Sequence, residues 1–341
     1  MTRTATGADP SREVSVKHER LHGECAPPQQ VVSLNVTPCL VIGLLMLIFL
    51  AVPPNLCRGE QGDDLPNILR SGFLARVIAD VDPRDAQATL ELMTKEVSRN
   101  IGLNTSPRVV LYPDTSSMIA AVSRGELDMV SLPTIDYLRL RNTVPLVPAF
   151  VGLHKDGVGL RFVLITHRDS EIRSISQLKG KTLFSLSANK HESAHVWLNV
   201  LLQKEAKGNP STFFRRIKEV DKLSQGIMGV FFRQADCALV TRAGLDAARL
   251  LNPQLEKQLV VIAESRELSD GVTCFPAGMP EKTRHILSNA VMQMSSSATG
   301  RQLFTIFMTS GVAPFKRIYV EGLEELLREE SSLKSGLARK R

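Results

Sequence analysis

The stretch His191-Glu192-Ser193-Ala194-His195 spells H-E-x-x-H. On a helix, two histidines one turn apart can share a zinc ion while the glutamate acts as base on its bound water. Three observations count against that chemistry here. The motif falls where the first turn of a helix is expected, whereas peptidases place it well inside one. No Gly or His follows at the H-E-x-x-H-x-x-G-x-x-H spacing that supplies a third ligand. The downstream acid at a comparable distance, Glu219, stands in the charged segment Lys218-Glu219-Val220-Asp221. His191, Glu192 and His195 are therefore a weak metal set, for catalysis or for a metal cargo. The competing reading makes Lys190-His191-Glu192-Ser193 a polar loop that contacts a ligand at the start of a helix.

Other polar residues stand where strands give way to helices. Asp114-Thr115-Ser116-Ser117 opens a helix, so Thr115 and Ser116 can offer hydroxyls to a ligand, or the segment can simply cap its own helix. Thr134 and Tyr137 follow the end of a strand; Tyr137 can face a cleft or pack with its hydroxyl at the surface. Ser187 follows the strand that leads to the Lys190 loop. Asp236, at a strand end, can accept from a ligand amine or hydroxyl or cap a neighbouring turn. Ser187 has no paired His-Asp arrangement, and the chain holds no G-x-S-x-G elbow and no phosphate-cradling G-x-x-x-x-G-K-[ST]. No catalytic residue and no cofactor is expected.

Short apolar runs alternate with helix-period segments across the elements that must hold these residues. Strands are predicted at 75–79, 108–112, 128–132, 160–166, 182–186, 236–240, 259–263 and 272–275. Helices are predicted at 85–100, 116–123, 193–207, 244–251, 281–295, 300–309 and 320–328. Strands separated by helices imply an α/β architecture with covered sheet faces. About 270 residues is large for one sheet, so two lobes with a cleft between them are expected.

The 341 residues carry a net charge of +7, which raises the question of nucleic acid or a membrane surface. Basic residues gather at the ends, Lys334, Arg339, Lys340 and Arg341 near the finish and Arg3, Arg12, Lys17 and Arg20 near the start, where Asp9, Glu13, Glu19 and Glu24 offset them. Aromatic residues make up 5%, too few for a base-stacking platform, so no nucleic-acid partner is expected. The run from Cys39 to Val52 is apolar and uncharged, shorter than the about 20 residues of a spanning helix and within the range of a secretory core. Pro53-Pro54 ends it, and Cys57-Arg58-Gly59 offers small residues at both positions a signal peptidase requires. Residues 1–59 are thus read as a tail plus export signal or membrane anchor, with cleavage after Gly59, and 60–69 as a linker. A chain cut there keeps Cys237 and Cys274, expected as buried free thiols.

Several segments, in order, resemble the phosphate- and phosphonate-type periplasmic binding proteins of ABC transporters. Ser123-Arg-Gly-Glu-Leu-Asp-Met-Val-Ser-Leu132 with Asp136-Tyr137 is similar to that family's glycine–aspartate strand. Leu164 to Lys181, ending Gln177-Leu178-Lys179-Gly180-Lys181, resembles the entry into its second lobe. Ala235-Asp236-Cys237-Ala238, Leu259 to Ser265, and Gly311-Val-Ala-Pro-Phe315 with Tyr319 resemble later segments. The resemblance implies a type II periplasmic binding fold: two mixed sheets flanked by helices, joined by two crossovers. Lobe 1 is then 70–160 plus 268–330, lobe 2 is 161–267, and 331–341 is a disordered basic tail. It further implies an extracytoplasmic monomer that closes on a small polar or anionic ligand and docks on a membrane permease. A retained anchor would instead make the chain a sensory module. One departure bears on the ligand. The family cradles its oxyanion with a serine-rich S-x-S-G loop, and this chain has Lys190-His191-Glu192-Ser193 there, adding a negative charge.

Overall fold

The computed structural model describes residues 65–338, apart from 79, 80, 156 and 207. The apolar run 39–52, the proposed cleavage position, and Cys25, Cys39 and Cys57 lie outside the described residues.

Among the described residues, eleven strands form two mixed sheets. The first takes β1 (Arg70–Leu74), β2 (Arg108–Tyr112), β3 (Met129–Pro133), β4 (Leu146–Leu153), β10 (Gly271–Pro276) and β11 (Gly311–Pro314), in the order β11-β4-β10-β3-β1-β2. β1, β2 and β3 run parallel, and β10, β4 and β11 pair antiparallel. The second takes β5 (Phe162–His167), β6 (Thr182–Leu186), β7 (Arg216–Val220), β8 (Cys237–Thr241) and β9 (Leu259–Glu264), in the order β7-β6-β8-β5-β9. The chain leaves the first sheet after β4 and returns to it at β10, so two crossovers join the sheets.

Helices cover both faces of each sheet. In the first, α2 (Thr115–Ser123) and α3 (Thr134–Leu140) bury Met118, Ala121 and Tyr137 on one face. On the other, α1 (Pro83–Asn100), α9 (Glu281–Ser296) and α10 (Ala298–Ile306) bury Val97, Leu287 and Phe304. In the second sheet, α4 (Glu192–Ala206) and α5 (Pro210–Phe213) close one face with Trp197, Leu198 and Phe213. The other face is closed by α6 (Leu223–Phe231), α7 (Arg242–Leu251) and α8 (Gln254–Gln258) with Ile227, Leu245 and Leu255.

Local signals set several helix starts. Asp114 accepts from the Ser117 amide at 2.9 Å, and Asp82 accepts from Arg84 ahead of a helix that opens on Pro83.

Several expectations change, and β4, β11, α3, α5, α6 and α8 are elements that the sequence reading did not name. The strand predicted at 75–79 lies five residues earlier, at Arg70–Leu74, and Ala75–Ile78 is a 3₁₀ turn. Arg70 sets this, because its amide and guanidinium both bind Asp128 beside β3. β7 was hidden by its sequence, RIKEV, since only Val220 of this edge strand is buried. The last helix, α11, runs from Ile318 to Ala338 rather than ending at Arg328, so the basic tail is helical to that point. Leu333 packs on the second sheet's core, Glu329 pairs with Lys204 and Arg266, and Glu330 with Lys334.

The crossovers touch each other. Leu160 bridges Leu268, and the Val158 amide donates to Glu267 at 2.6 Å. Gly159 permits this approach: a Cβ there would come 2.4 Å from the Leu268 carbonyl oxygen.

Candidate functional site

Ligands of open α/β sheets bind beyond the carboxyl ends of the strands, where backbone amides at helix starts face outward. Here β1 ends at the Arg76 turn, β3 runs into α3, and β6 runs through the turn 187–191 into α4. These three ends meet. Glu192, the first residue of α4, accepts from Arg139 Nη2 at 2.6 Å and from Arg76 Nη1 at 2.9 Å. Arg76 Nη2 donates to both carboxylate oxygens of Asp136, at 2.6 and 2.5 Å. Arg76, Asp136 and Arg139 follow strands of the first sheet, and Glu192 follows a strand of the second.

Their environments differ. Asp136 is 5% exposed, whereas the side chains of Arg76 and Glu192 are about a quarter exposed and that of Arg139 about half. Burial dominates at Asp136 and holds its carboxyl above the ordinary aspartate range, against the pull of Arg76 and with the charge of Glu192 adding to the rise. Burial also pushes Glu192 up, but the hydrogen bonds from Arg139 and Arg76, with their charges, outweigh it and hold Glu192 below the ordinary glutamate range. The bond to Glu192 raises Arg139 further. At neutral pH Glu192 is therefore an anion clamped by two guanidinium groups.

The turn before it is compact. The Ser187 carbonyl accepts from the amides of Lys190, at 3.1 Å, and His191, at 2.9 Å. Lys190 and Ser193 are half-buried, and among the described residues no hydrogen bond or ion pair engages either side chain. The His191 ring meets Phe162 edge-on at 6.4 Å.

The zinc motif does not assemble. His195 Nε2 lies 2.7 Å from the Leu186 carbonyl oxygen, which can only accept, so that nitrogen carries its proton and ties α4 to the end of β6. Glu192 is turned to the arginines. No group of three or more potential ligands lies close enough to hold a metal ion among the described residues.

The remaining expected contacts divide. Thr115 and Ser116 stand in the first turn of α2, half-buried and exposed, while Asp114 does the capping. Thr134 is fully buried, its hydroxyl 2.9 Å from that of Ser269 and its amide bonded to the Asp270 carbonyl, so it fastens α3 to a crossover rather than facing a ligand. Tyr137 packs in the core against Phe315, ring centroids 6.1 Å apart. Asp236 precedes β8, at the opposite end of the sheet from Glu192, and accepts from the Thr182 amide at 2.7 Å. Arg76 and Arg139 did not stand out in the sequence. Arg76 fell in a stretch read as strand, and the Asp136-x-x-Arg139 spacing on a short helix was the one available signal.

The sequence profile of the family described as ABC transporter, phosphonate, periplasmic substrate-binding protein matches residues 76–318. Solved structures share the fold. A Xanthomonas citri protein bound to ATP is 18% identical, with a TM-score of 0.58 over 79% of this chain and 99% of that one. A binding protein component of an ABC phosphonate transporter from Pseudomonas aeruginosa is 15% identical, with a TM-score of 0.54 over 81% and 99%. PhnD1 from Prochlorococcus marinus, in complex with methylphosphonate, is 15% identical, with a TM-score of 0.56 over 77% and 98%. No curated protein matched the chain. Two sheets joined by paired crossovers, with charged strand ends meeting between them, fit what the profile match says: this chain belongs to the family of periplasmic substrate-binding proteins of phosphonate ABC transporters.

Proposed function

We propose that the protein captures a small oxyanion of the phosphonate or sulfonate class between its two sheets, performs no chemistry on it, and releases it to a membrane permease. Arg76 and Arg139 at the carboxyl ends of one sheet, opposite the Lys190 turn and the start of α4, carry the proposal. A planar guanidinium matches a pair of oxygens on such anions with two parallel donors, and a helix start adds amide donors. Lys190 and Ser193 supply further contacts from the second sheet, and Thr115 and Ser116 from the first. Lobe 1 is taken as 70–160 plus 268–330 and lobe 2 as 161–267, closing about the crossovers as a population shift toward the ligand-held state. The chain works as a monomer, exported by the 39–52 segment and cut after Gly59.

The fates of Glu192 and His195 support the non-enzymatic reading, since each is committed to a structural partner. Thermal-shift and calorimetric titration with phosphate, methylphosphonate, alkylsulfonates and polyamines tests the ligand class. A ligand specific to the folded state raises the melting temperature, by about 2.7 kcal/mol of stability at a hundredfold excess over Kd. A response confined to polyamines, or to none of these, would overturn the oxyanion assignment.

A further inference from the structure

We propose that Glu192 is a tethered ligand: its carboxylate occupies the anion site that Arg76 and Arg139 build, clamps the lobes together without solute, and must be displaced when a free oxyanion binds. The inference rests on reading the cleft as an anion site.

The geometry carries it. Each Glu192 oxygen takes one guanidinium, Oε2 from Arg76 and Oε1 from Arg139, as each oxygen of a bound oxyanion would. Asp136 grips Arg76 Nη2 with both of its oxygens and leaves Nη1 aimed at Glu192, so the donor is oriented whether or not Glu192 is present. Asp136 is thus a positioning residue. The two pairing arginines lie 116 and 53 positions from Glu192 and on the other sheet, so this contact is a contact between lobes.

The charges give the same answer. Two cations and two anions cancel while Glu192 is in place. With Glu192 withdrawn, the remaining three groups hold a net positive charge. A dianion entering that space meets uncompensated cations, whereas one approaching the latched cleft meets a neutral cluster with its donors occupied. Glu192 therefore sets a threshold: only an anion that binds the arginines better than a tethered carboxylate opens the latch. The apparent affinity falls by the fraction of molecules in which Glu192 has let go.

Small-angle scattering and calorimetry on the wild type, Glu192→Gln and Arg139→Gln test this, with methylphosphonate and inorganic phosphate as probes. Both variants break one arm of the latch, so both are expected to have a larger radius of gyration than the wild type without ligand. Only Glu192→Gln is expected to bind the probes more tightly, by about tenfold, while Arg139→Gln binds them more weakly. The opposite signs of the two variants separate displacement from general loosening, and Arg139→Gln at a half-exposed site guards against a misfolded Glu192 variant. Equal affinity in the wild type and Glu192→Gln overturns the tethered-ligand proposal and leaves the oxyanion reading intact. If no protein binds either probe, the oxyanion reading falls, and the ligand-free scattering decides alone. Expansion of Glu192→Gln then supports the latch, and an unchanged radius overturns it.

Discussion

His154 Nε2 stands 3.0 Å from Asp270 Oδ2, so one residue from each crossover between the sheets joins in a hydrogen-bonded pair that becomes an ion pair when the imidazole is protonated. Leu160 and Leu268 bridge further along the same two segments, and Thr134 holds the second of them through Ser269 and Asp270. The two crossovers are bonded to each other and are not independent linkers.

That pair makes stability depend on pH. Burial alone pushes the His154 ring down, but the hydrogen bond and charge of Asp270, with the Met308 carbonyl and Glu267, outweigh it and raise the ring above its ordinary value. A raised folded-state value means the contribution is complete below about pH 6.5 and fades as pH rises through the folded value. Melting curves across pH 5.5 to 9 are expected to show this decline, worth about 1–2 kcal/mol. His154→Asn is expected to remove that slope. A wild-type slope that persists in the variant would assign the titration elsewhere.

Gly159→Ala is expected to destabilise the fold by about 2–3 kcal/mol, since the new methyl would meet the Leu268 carbonyl at the bridge between crossovers. Chemical denaturation measures it. An unchanged midpoint would mean that the two segments part easily.

Asp236→Ala separates cap from contact. The carboxylate accepts from the Thr182 amide at the amino end of β6, away from the Glu192 cluster. The expected outcome is a loss of about 1–2 kcal/mol in stability with anion affinity unchanged. Lost affinity in a stable variant would return Asp236 to the site.

Cys237 and Cys274 are free, buried, and in different sheets, and burial raises both thiols far above the ordinary range. Neither is expected to react with iodoacetamide at pH 8 until denaturant is added, as mass spectrometry would show. Fast native labelling of Cys237 would reveal an opening of the second sheet.

The strand 182–186 was legible to the residue, because an apolar run bounded by Lys181 and the polar turn that begins at Ser187 has one reading. The run Gln177 to Lys181 likewise marked the family. Besides β4, β11, α3, α5 and α8, two further elements were missed, α6 and β7. The first is a Gly-containing segment whose Gly226 and Gly229 pack against Val240 and Phe184, and the second is an edge strand with mostly exposed charges. Glu192 stood out twice, in the H-E-x-x-H pattern and in the ligand-contacting loop, but neither reading foresaw its pairing with Arg76 and Arg139. Thr134 and Tyr137 were read as facing a cleft because they follow a strand end. Helix phase turned both inward.

The amino-acid sequence by itself determined the alternation of strands and helices, the capped helix starts and the family, because these depend on neighbours a few positions apart and on the order of short segments. Tertiary structure decided which group each carboxylate holds. Asp136, Glu192 and Asp236 are similar acids at element boundaries, yet one positions an arginine, one joins two lobes and one caps a strand. A charged group's role follows from what it meets in space. The partners that settle the matter here lie 53 to 116 residues away, brought together when two sheets fold and face each other.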